Sequence, residues 1–129
     1  MIPILKRGDT MTIVIKKSVA TLFAHIIKID ERSIEKEGPL FCKLIGMDFD
    51  CTSNEAKELL EDILNKNYDL EEHIETINTA LKNDLLCKMH IMEQLNHIIY
   101  SDKITVQDYD EFDRIKNALF APNSNNIAC

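Results

Sequence analysis

The sequence predicts an all-α domain, a pseudo-symmetric bundle of about six helices. Apolar residues recur at three- and four-residue spacing in successive segments, and capping residues stand just ahead of several of them. Outside the N-terminal arm no window sustains the alternation of a half-buried strand.

Residues 1–15 read as an irregular arm, with Pro3, Gly8 and Asp9 punctuating short apolar pieces. From Lys16 the pattern turns helical: Val19, Leu22, Phe23, Ile26 and Ile27 fall on one face. Ile29 to Ser33 interrupt it. Leu40, Phe41, Leu44 and Ile45 form the next stripe. Because proline suits a first turn and breaks an interior, this helix is expected to start near Pro39, with Ile34 to Glu37 as a turn or short lead-in. Thr52-Ser53-Asn54-Glu55 has capping-box form ahead of Ala56, Leu59, Leu60, Ile63 and Leu64. Asp69 caps a fourth helix carrying Leu70, Ile74, Ile77 and Leu81. The fifth, about 84–100, is apolar on most sides, which predicts the central and most buried position. Thr105 caps a last helix with Tyr109, Phe112, Ile115 and Leu119, and 122–129 read as a flexible polar tail. The helical domain therefore spans 16–121.

Composition agrees with one domain: 129 residues, 45% hydrophobic and 29% charged, suffice for a single core and are too apolar for a disordered chain. No apolar run approaches the ~20 residues of a membrane span, and no export signal is read at the N-terminus. The net charge of −7 is uneven. Residues 1–47 hold eight basic and five acidic residues, 48–75 hold two and ten, and 76–129 hold five and seven, giving +3, −8 and −2. No basic face exists to neutralise phosphates, so nucleic acid is not an expected partner. The −8 segment reads as a solvated face or as a protein-docking surface.

Cys42, Cys51, Cys87 and Cys129 lie far apart with no close pair, which argues against zinc, a redox dithiol or a disulfide framework. Reduced thiols in a cytoplasm are the natural reading, with Cys42 and Cys87 expected in the core. No nucleophile elbow, phosphate loop or zinc-protease motif is present, and catalysis has no positive support. Asp48-Phe49-Asp50-Cys51-Thr52 opens like an EF-hand loop but places Ser53 and Leu59 where glycine and glutamate are required, so it reads as a loop leading to the Thr52 cap.

An internal repeat is the most informative feature. Phe23-Ala24-His25-Ile26-Ile27 with Asp30 is echoed by Leu95-Asn96-His97-Ile98-Ile99 with Asp102, at an offset of 72. Glu37, Phe41 and Leu44 correspond to Asp108, Phe112 and Ile115 at an offset of 71. Each half reads as a helix, an acidic turn with an isoleucine (Ile34, Ile104), and a second helix with an early carboxylate; the halves are roughly 16–47 and 84–121. The stretches Lys28–Glu37 and Tyr100–Asp108 carry the layout that resembles the TerB-like family. That is the tellurite-resistance group, whose fold also serves as the N-terminal domain of a membrane-anchored DnaJ-type co-chaperone.

The resemblance covers about residues 16–121. It implies a non-enzymatic interaction domain in a stress- or envelope-associated system, with a protein partner and a divalent cation as candidate ligand. The acids that could converge on a hard cation are Asp30, Glu37, Asp102 and Asp108. Each also has a structural role open to it: Asp108 and Glu37 as early helix carboxylates, Asp30 and Asp102 as turn residues, with Arg32 and Lys103 at hand for ion pairs. His25 and His97 flank the apolar stripes and read as half-buried surface residues, and His73 and His90 have no partner legible in the sequence. The alternative is a metal-free protein-binding module that uses the acidic face 48–75.

Overall fold

The computed structural model describes residues 10–29, 34–49, 51–82, 84–100 and 106–120, with side chains from Ile15 in the first helix and from Gly38 in the second. It holds α1 (Thr10–Ile29), α2 (Ile34–Phe49), α3 (Ser53–Leu64), α4 (Leu70–Ala80), α5 (Leu85–Tyr100) and α6 (Val106–Phe120), and no strand among the described residues. The all-α bundle of six helices is therefore observed. Residues 1–9, the turns holding Asp30 and Asp102, the Thr105 cap and the tail from 121 lie outside the described residues.

Three boundaries move. The irregular arm expected up to residue 15 ends sooner, because α1 starts at Thr10. The β-branched run Ile13-Val14-Ile15 has modest helix propensity, yet Ile15 continues the stripe of Val19, Leu22 and Ile26 and is fully buried. Helix α2 begins at Ile34 and runs through Pro39, so the lead-in is the first turn of the same helix. Pro39 is the sixth residue of α2, beyond the four N–H groups that a helix start leaves free, so α2 tolerates the loss of one interior i→i−4 bond there. Asp48 and Phe49, assigned to a loop from sequence, are helical.

α1 is the centre of the bundle and packs against each of the other five helices. Val19, Ala20, Leu22, Phe23, Ala24, Ile26 and Ile27 are all buried, and no charged residue interrupts them. The central place predicted for α5 belongs to α1. α5 buries Ile91, Leu95, Ile98 and Ile99 but exposes Leu85, Leu86 and Met89 by 60%, 78% and 58%. The two helix pairs α1–α2 and α5–α6 lie in one packed body, with α1 against α5 and α6 and α2 against α5.

Caps fix the ends of the elements. Thr52 Oγ1 accepts from the Glu55 amide at 3.1 Å while Glu55 Oε1 accepts from the Thr52 amide at 2.8 Å, a complete capping box. Asp69 Oδ1 accepts from the amides of Glu71 and Glu72, and Asp84 Oδ1 from that of Cys87. The last turn of α6 is closed by other helices: Asn78 Nδ2 donates to the Ala118 carbonyl and Lys88 Nζ to the Leu119 carbonyl, each at 2.9 Å. Lys88 is buried, and that burial draws its ammonium below the ordinary lysine range. A Cβ on Gly46 would stand 3.2 Å from the Cys51 carbonyl oxygen, so glycine lets the chain pass close as it leaves α2.

Truncating the two helices should separate their roles. Phe23→Ala removes a wholly buried ring from α1 and should cost about 3–5 kcal/mol in urea unfolding, whereas Leu86→Ala on α5 should stay within about 0.5 kcal/mol. Comparable losses in the two variants would contradict the assignment of α1 as the central helix.

Candidate functional site

A helix buried along its length must find partners for every polar side chain it carries. α1 carries three in its described interior: Ser18, Thr21 and His25. Thr21 Oγ1 donates back to the Lys17 carbonyl at 2.8 Å. Ser18 Oγ lies 3.0 Å from His73 Nδ1 on α4. His25 reaches two ways, with Nδ1 2.8 Å from the Tyr68 hydroxyl and Nε2 3.1 Å from Glu111 Oε2 on α6. The Glu111 carboxylate only accepts, so His25 Nε2–H donates to it, and the unprotonated Nδ1 accepts from Tyr68 O–H.

The chain of contacts continues. Arg114 donates to Glu111 at 3.3 Å and also pairs with Glu71 on α4. Lys28 sits 5.1 Å above the Tyr68 ring. One polar network thus joins α1, the α3–α4 connection, α4 and α6. A polar cavity of about 250 Å³ lies beside it, with Lys17, Thr21, Tyr68 and His73 among its walls.

Tyr68, His25 and Glu111 stand in the order of a proton relay, but their electrostatics favour rest. Burial holds His25 below its ordinary value, outweighing the attraction of Glu111, and burial also pushes the Tyr68 hydroxyl up. Both shifts keep the pair neutral near pH 7, which makes the network a hydrogen-bonded staple between helices.

A second buried pair joins α2 to α5. Asp48 is fully buried and its Oδ1 accepts from His90 Nε2 at 2.8 Å, while Oδ2 accepts no hydrogen bond among the described residues. Burial raises the Asp48 carboxyl, against the opposing pull of His90. The Cys87 thiol feels the charges of Asp84 and Asp48, and with burial as the main cause is pushed up to about 11. Cys42 is raised by burial as well, so neither thiol is an activated nucleophile. Cys42 and Cys87 are half-buried against the core rather than enclosed within it.

Of the four acids predicted to gather on a cation, Asp30 and Asp102 lie outside the described residues, as do Arg32 and Lys103. Glu37 falls in the first turn of α2 and its side chain is not described. Asp108 is the third residue of α6, in its first turn, and is fully buried. Among the described residues no group of three His, Cys, Asp or Glu side chains is placed to hold a metal ion. His25 and His97, matched in the repeat, differ in setting: His25 is enclosed in the polar network and His97 is exposed. His73 and His90 do have partners, Ser18 and Asp48, which lie 55 and 42 residues away and are therefore invisible to local pattern. In the acidic segment, Glu55, Glu58, Glu61, Glu71, Glu72 and Glu75 are exposed on α3 and α4, whereas Asp48 is inside.

The surface feature that periodicity misread lies on α5 and α6. Of the large apolar side chains exposed among the described residues, Leu85, Leu86, Met89 and Tyr100 belong to α5 and Val106 and Tyr109 to α6, leaving only Met47 elsewhere. A groove of about 430 Å³ runs between the two helices, floored by Met92, Phe112 and Phe120. No helix among the described residues is long and apolar enough to cross a membrane. Compared with protein-family models, curated proteins and solved structures, the chain matches none of them.

The buried imidazoles set a pH dependence. His25 and His73 are both held below 6.5, chiefly by burial, so the unfolded chain takes up these protons first. Their contribution to stability is present above pH 6.5 and is lost as pH falls through their folded values. Asp48 acts oppositely: its folded value lies above 3.8, and its contribution is present only at acid pH and lost as pH rises through that folded value. Urea unfolding at about pH 7.5 and 5.5 should show a less stable protein at the lower pH, and His25→Gln should shrink that difference. An equal difference in wild type and variant would remove His25 from the account.

Proposed function

We propose that this chain is a non-enzymatic interaction domain of TerB-like type, which docks a protein through the outer face of α5 and α6. The observation that carries the reading is the concentration of exposed Leu85, Leu86, Met89, Tyr100, Val106 and Tyr109 on these two helices. Large apolar side chains left exposed on two neighbouring helices are what an interaction face presents. Methionine suits such a face, since its unbranched thioether adapts to a partner's contours. The reading places the protein in a cytoplasm, where the thiols of Cys42, Cys51 and Cys87 stay reduced. The family resemblance adds a stress- or envelope-associated setting and a divalent cation held by Asp30, Glu37, Asp102 and Asp108; titration calorimetry with calcium, manganese and zinc tests the cation.

The second reading uses the exposed acids of α3 and α4 as the docking face, supported by the −8 balance of residues 48–75. A photo-crosslinking amino acid placed at Leu86 or at Glu58, in cells producing the full chain, separates the two. The leading reading predicts discrete protein adducts from position 86 and none above background from 58. Adducts confined to position 58 would transfer the function to the acidic face, and adducts from neither would overturn the interaction-domain reading.

A further inference from the structure

The α5–α6 face has a charge arrangement that selects its occupant. α5 holds two charged residues among its sixteen, Lys88 and Glu93, and Lys88 is turned inward to the Leu119 carbonyl. The outward charges at the groove are therefore Glu93 on the α5 wall and Lys116 on the α6 wall. The groove lining is electrically balanced on a chain of −7, with the exposed Asp110 and Asp113 of α6 outside it, whereas the α3–α4 side is strongly acidic. Two copies of a −7 chain repel wherever their acidic sides meet, and the balanced groove is where that repulsion is least.

The geometry of the pair is self-complementary. α5 and α6 run antiparallel, with Lys88 near the start of α5 on the Leu119 carbonyl near the end of α6, and Tyr100 at the end of α5 beside Tyr109 in the first turn of α6. Glu93 and Lys116 lie between these points, at about the same level along the groove. A two-fold axis running along the groove lays α5 of one copy over α6 of the other and preserves level. It sets each Glu93 against the other copy's Lys116 and buries Leu86 and Met89 between them.

We propose that the α5–α6 face binds a second copy of this chain, forming an isologous two-fold dimer in which four helices close over the groove. The proposal rests on the reading of that face as a docking surface. Isologous contact requires that what one copy offers, the same surface accepts. The Met89/Met92/Phe112/Phe120 groove supplies the apolar centre and the Glu93–Lys116 pairs the register.

Sedimentation equilibrium of the full chain over about 1–200 μM tests this. The expected species at the upper end has twice the 14.9 kDa mass of one chain. Met89→Asp, at an exposed position that does not support the core, should leave the helical signal and urea midpoint unchanged and weaken association at least about tenfold. Glu93→Lys and Lys116→Glu should each weaken it about tenfold or more, and the double charge swap should restore it, an outcome that no general loss of solubility or fold would produce. A chain monomeric throughout the range overturns the dimer; adducts from Leu86 to other proteins would then leave the docking face standing. A dimer indifferent to both Met89→Asp and the charge swaps places the contact elsewhere and overturns the proposal. A dimer of that kind, with no adducts from Leu86, would remove the docking face too.

Discussion

Burying α1 is the constraint on which the rest of the structure depends. A chain of 14.9 kDa builds its core around one helix whose described interior offers no charge to solvent, so each remaining element is defined by the side of α1 it covers. The hydrophobic term is large: a ring such as Phe23 or a chain such as Leu22, taken wholly out of water, contributes about 1.5–3 kcal/mol. The polar side chains of α1 then decide which residues must meet it. Ser18 requires a partner on α4 and finds His73; His25 requires two and finds Tyr68 and Glu111. An unpartnered imidazole or hydroxyl there would cost about 1–3 kcal/mol, comparable with the gain from a buried aliphatic side chain. Position along α1 and identity of the covering helix are therefore coupled.

The same economy of charge shapes the surface. Lys88 reaches inward to a carbonyl of the last turn of α6, and Asn78 serves the neighbouring one. Removing that ammonium from the outside leaves α5 with an outward face of leucine and methionine beside the phenylalanines of α6. The capping of one helix thus creates the apolar face on which the functional reading rests. The exposed glutamates of α3 and α4 keep like surfaces apart.

The sequence made much of this fold legible, through periodicity and caps. The stripes of α1 and α4 are buried as read, that of α3 is buried at Ala56, Leu60 and Ile63 and half-buried at Leu59 and Leu64, and the Thr52 and Asp69 caps bond the amides their spacing names. The errors have physical sources. Ile13-Val14-Ile15 reads poorly as helix on local preference, and tertiary burial of Ile15 overrides it. The all-round apolar character of α5 reads as a central position, since periodicity reports which faces are apolar and cannot say whether the partner for a face lies in the same chain. α1 has flanking histidine and serine, and so reads as more superficial than it is. The candidate site was the least legible part. Tyr68, Glu111 and Arg114 join His25 across 43, 86 and 89 positions of sequence, and the Asp48–His90 pair spans 42; such contacts follow from packing alone. His25 was singled out by the repeat, but its partners have no counterparts at His97.

Native-state hydrogen exchange tests the central claim most directly, because it reads the free energy of opening helix by helix. If α1 is the element around which the bundle is built, the amides of Val19 to Ile27 exchange only when the whole domain unfolds. Their opening free energy then equals that of global unfolding by denaturant, while α2 and α3 open at lower cost. Amides of α1 that exchange through a local opening, well below the global free energy and ahead of α5, would contradict it.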